Sequence, residues 1–434
     1  MKIVNIVPGF GGTFYCGNCL RDSAFVQSLR EAGHDAITLP MYLPLSMQGA
    51  EAEMPVFYGA VGIYLREFPL FRNMPGWMER LVNSRPMLRF AARKAGSTRA
   101  QGMEELTESM LLGTDGRQYH ELQHLVDFLK YQVKPDIVHF SNALLLGMAR
   151  QIREEVKVSV ICSLQDEDVW VDAMEENYRE KIWNLMSEKC HDVDAFVAVS
   201  RWFGDRMQEQ LKIPSAKMHI LPIGIDPGKY TLHTPASRPQ AIGYLSRICC
   251  ENGFGVLVDA FVLLKRDPRF LNLKLQVTGG MTGDDKSFLQ GELKKLELEN
   301  LLGDIIIHYD YDKLVLADFF RGITLLSVPV LKGEAFGLYQ LEALASGIPI
   351  VQPGLGAFPE IINATGGGMT YTPNTPEKLA ETLAGVLTNP GQIEEMSRKG
   401  RQSVETEFNC SRITAEMVEI YSKTIDELRL TNYE

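Results

Sequence analysis

Residues 329–360 read PVLKGEAFGLYQLEALASGIPIVQPGLGAFPE. An apolar run, GITLLSV, leads into them, a short loop carrying Lys332 and Glu334 follows, and a helical pattern begins around Phe336, Gly337 and Leu338. Gly347 closes that pattern, and a second apolar run, IPIVQP, comes next. Strand, loop, helix and strand in so short a span make a βαβ unit, whose home is a parallel sheet.

The same alternation extends outward in both directions, in two blocks. In the first half KIVNIV, DAITLP, DIVHF, VSVIC and AFVAVS read as buried strands, with helical patterns such as CLRDSAFVQSLREAG between them. In the second half the strands are QAIGYL, LKLQVTG, DIIIHY, GITLLSV and IPIVQP. Helices there include GFGVLVDAFVLLK and FGLYQLEALASG, and Thr375-Pro376 is a start signal, a capping side chain followed by proline in the first turn. The class is α/β, arranged as two facing Rossmann-like, doubly wound domains. Residues 226–239, rich in Pro, Gly, Ser and Thr, mark the linker. The expected division is an N-terminal domain over 1–230, a C-terminal domain over 231–409, and a terminal helix within 410–434 that packs back toward the first domain. Open α/β sheets bind ligands at the carboxyl ends of their strands, so the expected site is an interdomain cleft.

Composition narrows the function. The 434 residues are 45% hydrophobic and 23% charged, ordinary for a globular chain and enough for two or three domains. Lys and Arg number 44 against 55 Asp and Glu, a formal charge of −11, which excludes a whole-chain basic footprint for nucleic acid. No apolar run approaches the roughly 18 residues of a membrane span. MKIVNIVPGFGG reads as a first strand rather than a signal peptide, so a cytoplasmic protein is expected. Seven cysteines, an odd number, argue against a disulfide framework.

Glu334 and Glu342 are separated by seven residues. Chance produces that spacing easily, and only the context gives it content. A helix N-terminus presents unpaired N–H groups and partial positive charge, so a diphosphate can dock there. Glu342 can then accept hydrogen bonds from a ribose diol, and Glu334 can hold hydroxyls of whatever hangs from the diphosphate. The plainer alternative has Glu334 capping the helix and Glu342 solvated on its surface. Cys16-Gly-Asn-Cys19 is a CxxC without a second cysteine or histidine pair, and it reads as small packing residues in preference to a redox or zinc motif. Asp-x-Asp occurs at 166–168, 192–194 and 310–312, as expected by chance in an acidic chain, and no metal site is expected.

With its neighbours, the opening stretch resembles the Glu-x7-Glu signature of the retaining glycosyltransferases with the GT-B fold, glycosyltransferase family 4 (glycosyl transferases group 1). The family pattern runs roughly E-G-F-G-L-x-x-L-E-A-M-A-x-G-x-P-V-V, then Gly-Gly-x-x-Glu. This chain has EAFGLYQLEALASGIPIV and GLGAFPE, with Ala335 for the first Gly and Gly356-Ala357 for the Gly pair. PGFGGTFYCGN resembles the family's Gly-Gly loop, which implies Gly12 beside the donor diphosphate. IGYLSRICCENGFGVLVDAF resembles G-R-x-x-x-x-K-G. It puts Arg247 on the diphosphate and Asn252 where the family carries Lys, with Lys332 as the substitute charge. KPDIVHFSNALLLG resembles D-I-V-H-x-H, matching His139 to the first His and Ser141 to the second. VICSLQDEDVW occupies a strand-end histidine loop, where Gln165, Asp166 and Glu167 face acceptor or sugar, or cap the following helix.

The resemblance implies a hexosyltransferase-type enzyme, moving a sugar from a nucleotide-diphosphate sugar to an acceptor hydroxyl with retention of anomeric configuration. Glu334 and Arg247 are the implied catalytic residues. Gly12, Asn252, Lys332, Phe336, Gly337, Leu338 and Glu342 are implied to bind donor, and His139, Gln165 and Asp166 to line the acceptor or sugar side. No metal and no cofactor are implied beyond the nucleotide sugar as co-substrate. The N-terminal domain would take acceptor and the C-terminal domain donor. A nucleotide-sugar epimerase of similar architecture and a non-catalytic nucleotide-sugar or glycan binding protein are the alternatives.

A basic insertion is expected around residues 60–120. Residues 66–99 carry Arg66, Arg72, Arg80, Arg85, Arg89, Arg93, Lys94 and Arg99 against Glu67 and Glu79, interleaved with Phe68, Phe71, Trp77 and Phe90. Two readings stand: an insertion packed on the N-terminal domain with its arginines solvated or paired with acidic neighbours, or a surface at the inner face of a membrane that favours an anionic or lipid-linked acceptor, within a general expectation of a glycan or lipid-linked acceptor.

Overall fold

The computed structural model describes residues 1–8, 14–41, 102–233, 240–309 and 316–431. Gly12, residues 66–99 and the Asp-x-Asp at 310–312 lie outside them. Two compact units are present. One gathers Met1–Gly11, Asp22–Leu221 and Thr414–Glu434, and the other Gly12–Arg21 and Pro222–Ile413.

The described part of the first unit holds a six-stranded sheet in the order β2-β1-β3-β4-β5-β6. Its strands are β1 (Lys2–Val7), β2 (Asp35–Pro40), β3 (Ile137–Phe140), β4 (Ser159–Leu164), β5 (Ala195–Ala198) and β6 (Met218–Ile220). Every pairing is parallel. All residues of β3, β4 and β5 are buried, as strands covered by helices on both faces require.

In the second unit the order is β12-β11-β10-β7-β8-β9. The strands are β7 (Ala241–Leu245), β8 (Lys274–Thr278), β9 (Ile305–Ile307), β10 (Leu325–Leu326), β11 (Ile350–Pro353) and β12 (Gly368–Tyr371), again all parallel. Counted from β7 this is the 3-2-1-4-5-6 order of a dinucleotide-binding fold, with the change of direction between β7 and β10. Both sheets bear out the two-domain α/β expectation.

Two strands escaped the sequence reading. β6 is three half-buried residues, MHI, and β12 is GMTY, in which one residue is fully buried. Neither carries the apolar run that marks a strand. The helix expected near residue 336 spans Leu338–Ala345, after Gly337 at φ 85°. Thr375 caps its helix as expected, its side chain accepting from Lys378 N with Pro376 in the first turn.

The packing reading of the CxxC needs correction: Cys16 and Cys19 form a disulfide. Residue 16 precedes the helix Gly17–Glu31, so 16 and 19 fall on one face a single turn apart, and their Cα atoms lie 5.4 Å from each other. That separation is within the range a disulfide spans.

The loops that end the second unit's strands are docked by glycines. Gly253, at φ 74°, precedes the helix Phe254–Lys265, and a Cβ there would stand 1.8 Å from the Pro329 carbonyl oxygen. Gly253→Ala is therefore expected to cost about 1–3 kcal/mol or more through backbone strain and this clash. Urea unfolding checks it. A stability equal to that of the unsubstituted protein would mean that the two loops separate freely.

Candidate active site

Where neighbouring strands lead in opposite directions, the loops at their carboxyl ends part and leave a crevice. At β7 and β10 those loops are residues 246–253 and 327–337. The first carries Arg247 and Asn252, the second Lys332, Glu334, Phe336 and Gly337. Leu331 N donates to Glu251 O at 3.0 Å and so ties one loop to the other. A third loop, after β11, supports the second: Ala357 N donates to Glu334 O at 3.0 Å. Gly356, at φ 59°, lets its backbone approach Glu334 to a distance that any Cβ would forbid.

These contacts fix Glu334 in the crevice loop rather than at the helix cap. Its carboxylate is half-buried and accepts from the Tyr339 hydroxyl at 2.7 Å, and no side chain caps the helix at Gly337. Phe336 is buried edge-on against Phe408, with ring centroids 6.2 Å apart, and Leu338 is buried beside it in sequence. Lys332 is exposed.

Arg247 lies at the mouth of the other loop with 22% of its side chain exposed, 3.6 Å from Asp285 and 3.8 Å from Glu251. Burial works against its charge, but Cys249, Asp285 and Glu251 outweigh that and hold its pKa above the usual value. Asn252 supplies no charge. Its amide donates to Ser246 Oγ at 2.8 Å and to Arg247 O at 3.3 Å, which braces the loop that presents Arg247.

Glu342 is not the solvated helix residue of the plainer reading. It is 2% exposed, and its two carboxylate oxygens accept from Tyr15 at 2.6 Å and from Tyr230 at 3.0 Å. Burial pushes its pKa up to about 7, while the two hydroxyls pull the other way.

In the first unit, His139 is 1% exposed at the heart of β3. Its ring nitrogens lie 2.5 Å from the Tyr421 hydroxyl and 2.8 Å from Ser163 Oγ. Gln165, also buried, donates from its amide to Ser141 O at 2.6 Å. Asp166 stands half-buried at φ 58°, turning the chain into the helix Glu167–Val171. Glu167 is fully buried between the backbone N–H groups of Ala143 and Gln165, at 2.8 and 2.7 Å, and burial raises its pKa to about 8. Among the described residues, no group of His, Cys, Asp or Glu is placed to hold a metal ion. Asp168 and Asp194 of the Asp-x-Asp tripeptides instead pair with Arg206 and Arg153.

Sequence reasoning missed the three tyrosines that hold the two glutamates: Tyr15, Tyr230 and Tyr339. Tyr15 stands in the quoted Gly-rich loop and Tyr230 in the linker, and nothing in their spacing announces a shared partner.

A glutamate whose folded pKa lies near 7, against an ordinary 4.5, binds its proton more tightly folded than unfolded. The stability this gives is fully present below pH 4.5 and is lost as pH rises through 7, by about 3 kcal/mol. Glu342→Gln cannot ionise, so between pH 5 and pH 8 it is expected to lose markedly less stability than the parent protein. Chemical denaturation at the two pH values measures this, and equal losses would contradict the buried, proton-binding carboxylate.

A family model described as Glycosyltransferase Family 4 matches residues 109–229, and one described as Glycosyl transferases group 1 matches residues 233–403. A D-inositol 3-phosphate glycosyltransferase of Streptomyces griseus is 28% identical over 39% of this chain and 35% of its own length. A glycogen synthase of Mycobacterium tuberculosis is 22% identical over 66% of this chain and 69% of its own. The chain thus spans between about a third and two thirds of these curated relatives. Among solved structures, sucrose-phosphate synthase from Thermosynechococcus elongatus superposes with a TM-score of 0.71 at 16% identity, covering 98% of this chain and 100% of that one. HepE of Anabaena, solved in complex with UDP-glucose, gives 0.66 at 13% identity, with 98% and 100% covered. With its two parallel sheets and a family match over each half, the chain belongs to the family 4, group 1 glycosyltransferases and has the GT-B fold.

Proposed function

We propose that the protein transfers a hexose from a nucleotide-diphosphate sugar to an acceptor hydroxyl, with retention of configuration and without a metal ion. The observation that carries this reading is that Arg247 and Glu334 stand on two loops tied together at the direction change of the second sheet. The HepE complex with UDP-glucose, on a similar fold, supports a nucleotide sugar as donor.

The roles follow from chemistry. Arg247 meets the diphosphate with a planar fork suited to phosphate oxygens, and Lys332 adds the charge that Asn252 lacks. The eight-residue helix after Gly337 turns its first N–H groups to the same anion. Together they stabilise the charge that grows on the leaving diphosphate as the glycosidic bond breaks. Glu334 orients the sugar through its hydroxyls, and Glu342 takes the ribose diol. The second unit, Gly12–Arg21 with Pro222–Ile413 in place of the expected 231–409, is then the donor domain, and the first unit is the acceptor domain. Asp166 is the best placed of the three acceptor-side residues, because His139 and Gln165 are buried and act by holding the strand ends.

Two outcomes test the assignment. Glu342→Ala should weaken binding of a nucleoside diphosphate by roughly 10- to 150-fold, the worth of a hydrogen bond to a charged group, while Glu334→Ala should chiefly lower turnover. Calorimetry on the folded variants decides, and unchanged affinity in Glu342→Ala removes the ribose assignment. Transfer should also survive excess EDTA. Loss on chelation with recovery in Mn²⁺ would contradict a diphosphate held by Arg247, Lys332 and helix N–H groups alone. Product analysis with donor alone separates transfer from epimerisation.

A further inference from the structure

The turn that carries the disulfide also holds a partner of Glu342. Phe14 forms an antiparallel bridge with Gly280, and Tyr15 N donates to Gly279 O at 2.7 Å. The Tyr15 side chain is 5% exposed, its ring centroid 6.3 Å from that of Tyr339, and its hydroxyl is on Glu342. One residue later Cys16 begins the disulfide, with Cys19 N donating to Cys16 Sγ at 3.3 Å and Leu20 N to Cys16 O at 3.1 Å. A Cβ on Gly17 would lie 3.5 Å from Leu338 Cβ, so this turn rests at the start of the helix that bears Glu342.

Two features make the pair more than a staple. Both cysteines are half-exposed, within reach of a thiol, whereas Cys162, Cys190, Cys249 and Cys410 are buried. The bond joins residues only three apart in sequence, too short a loop to lower the entropy of the unfolded chain much, so its main effect is on the local turn. A hydroxyl and a ribose diol compete for the same carboxylate oxygens, and whatever stiffens the turn favours the hydroxyl.

We propose that Cys16–Cys19 is a redox-active disulfide that latches Tyr15 onto Glu342, and that reduction by a dithiol loosens the latch and opens the carboxylate to nucleotide. A thiolate of the dithiol attacks one cysteine sulfur and breaks the S–S bond to form a mixed disulfide. Its second thiol then displaces that cysteine. Two electrons and two protons pass to Cys16 and Cys19, and the dithiol leaves as a disulfide. The effect on affinity rests on the reading of Glu342 as the ribose ligand. The latch itself does not.

Hydrogen exchange by mass spectrometry on the full chain, oxidised and after dithiothreitol, tests the latch without nucleotide. Reduction, or Cys16→Ser with Cys19→Ser, should speed exchange at residues 15–20 and 338–345. Exchange at both segments that ignores the redox state overturns the proposal. Calorimetry with UDP, ADP and GDP then reads the consequence. The reduced protein should bind its preferred diphosphate up to about 10-fold more tightly, and oxidised Tyr15→Phe should match the reduced protein and no longer respond to dithiothreitol. Equal affinity of oxidised and reduced protein for a diphosphate that binds overturns the gating. If no diphosphate binds any form, the nucleotide reading of Glu342 fails, and the gating of nucleotide with it.

Discussion

A carboxylate sealed from water must be protonated or closely partnered, since leaving it charged and alone in an apolar interior costs several kcal/mol. Glu342 meets that constraint with two tyrosine hydroxyls brought from far along the chain, 327 and 112 residues away. To satisfy it the protein commits the turn after β1, the segment after residue 222 and the helix Leu338–Ala345 to one place. The compact second unit includes Gly12–Arg21 although the chain on either side of that segment belongs to the first unit. The Tyr15 hydroxyl on Glu342 and the Tyr15 N–H on Gly279 O both tie that segment to the second unit.

Around that anchor the second sheet does the positioning. Its change of direction between β7 and β10 creates the crevice, and glycines with positive φ let backbones close to distances that no side chain permits. Gly253 against Pro329 and Gly356 against Glu334 are two examples at the crevice. The result is a rigid frame of main chain holding a small set of polar side chains, the arrangement that transition-state stabilisation by fixed charges requires.

Much of this was legible in the sequence. Buried parallel strands are runs of apolar residues, so ten of the twelve described strands announced themselves, while GMTY and MHI did not because edge strands need no such run. Glu334 and Glu342 were found from their place beside a strand end and a helix start together with the family signature, and Arg247 through the resemblance of its loop to that family's. Tyr15 and Tyr230 were not, because a hydrogen bond across hundreds of residues leaves no periodic trace. The disulfide was missed because the CxxC lacks a second cysteine or histidine pair and the cysteine total is odd. An odd total speaks to a framework of long-range bridges and is silent about two cysteines one helical turn apart. His139 shows the converse: a residue type suited to a ligand, placed by the fold between Tyr421 and Ser163.

The central claim is that the second domain takes a nucleoside diphosphate at the ends of β7 and β10, with Glu342 on its ribose and Arg247 on its phosphates. A crystal structure of the full chain soaked with a nucleoside diphosphate under reducing conditions tests it most directly. The expected density puts the ribose hydroxyls within hydrogen-bond distance of Glu342, with Tyr15 swung away, and the diphosphate between Arg247 and the backbone of residues 336–338. A nucleotide bound elsewhere, with Tyr15 and Tyr230 still on Glu342, would contradict it.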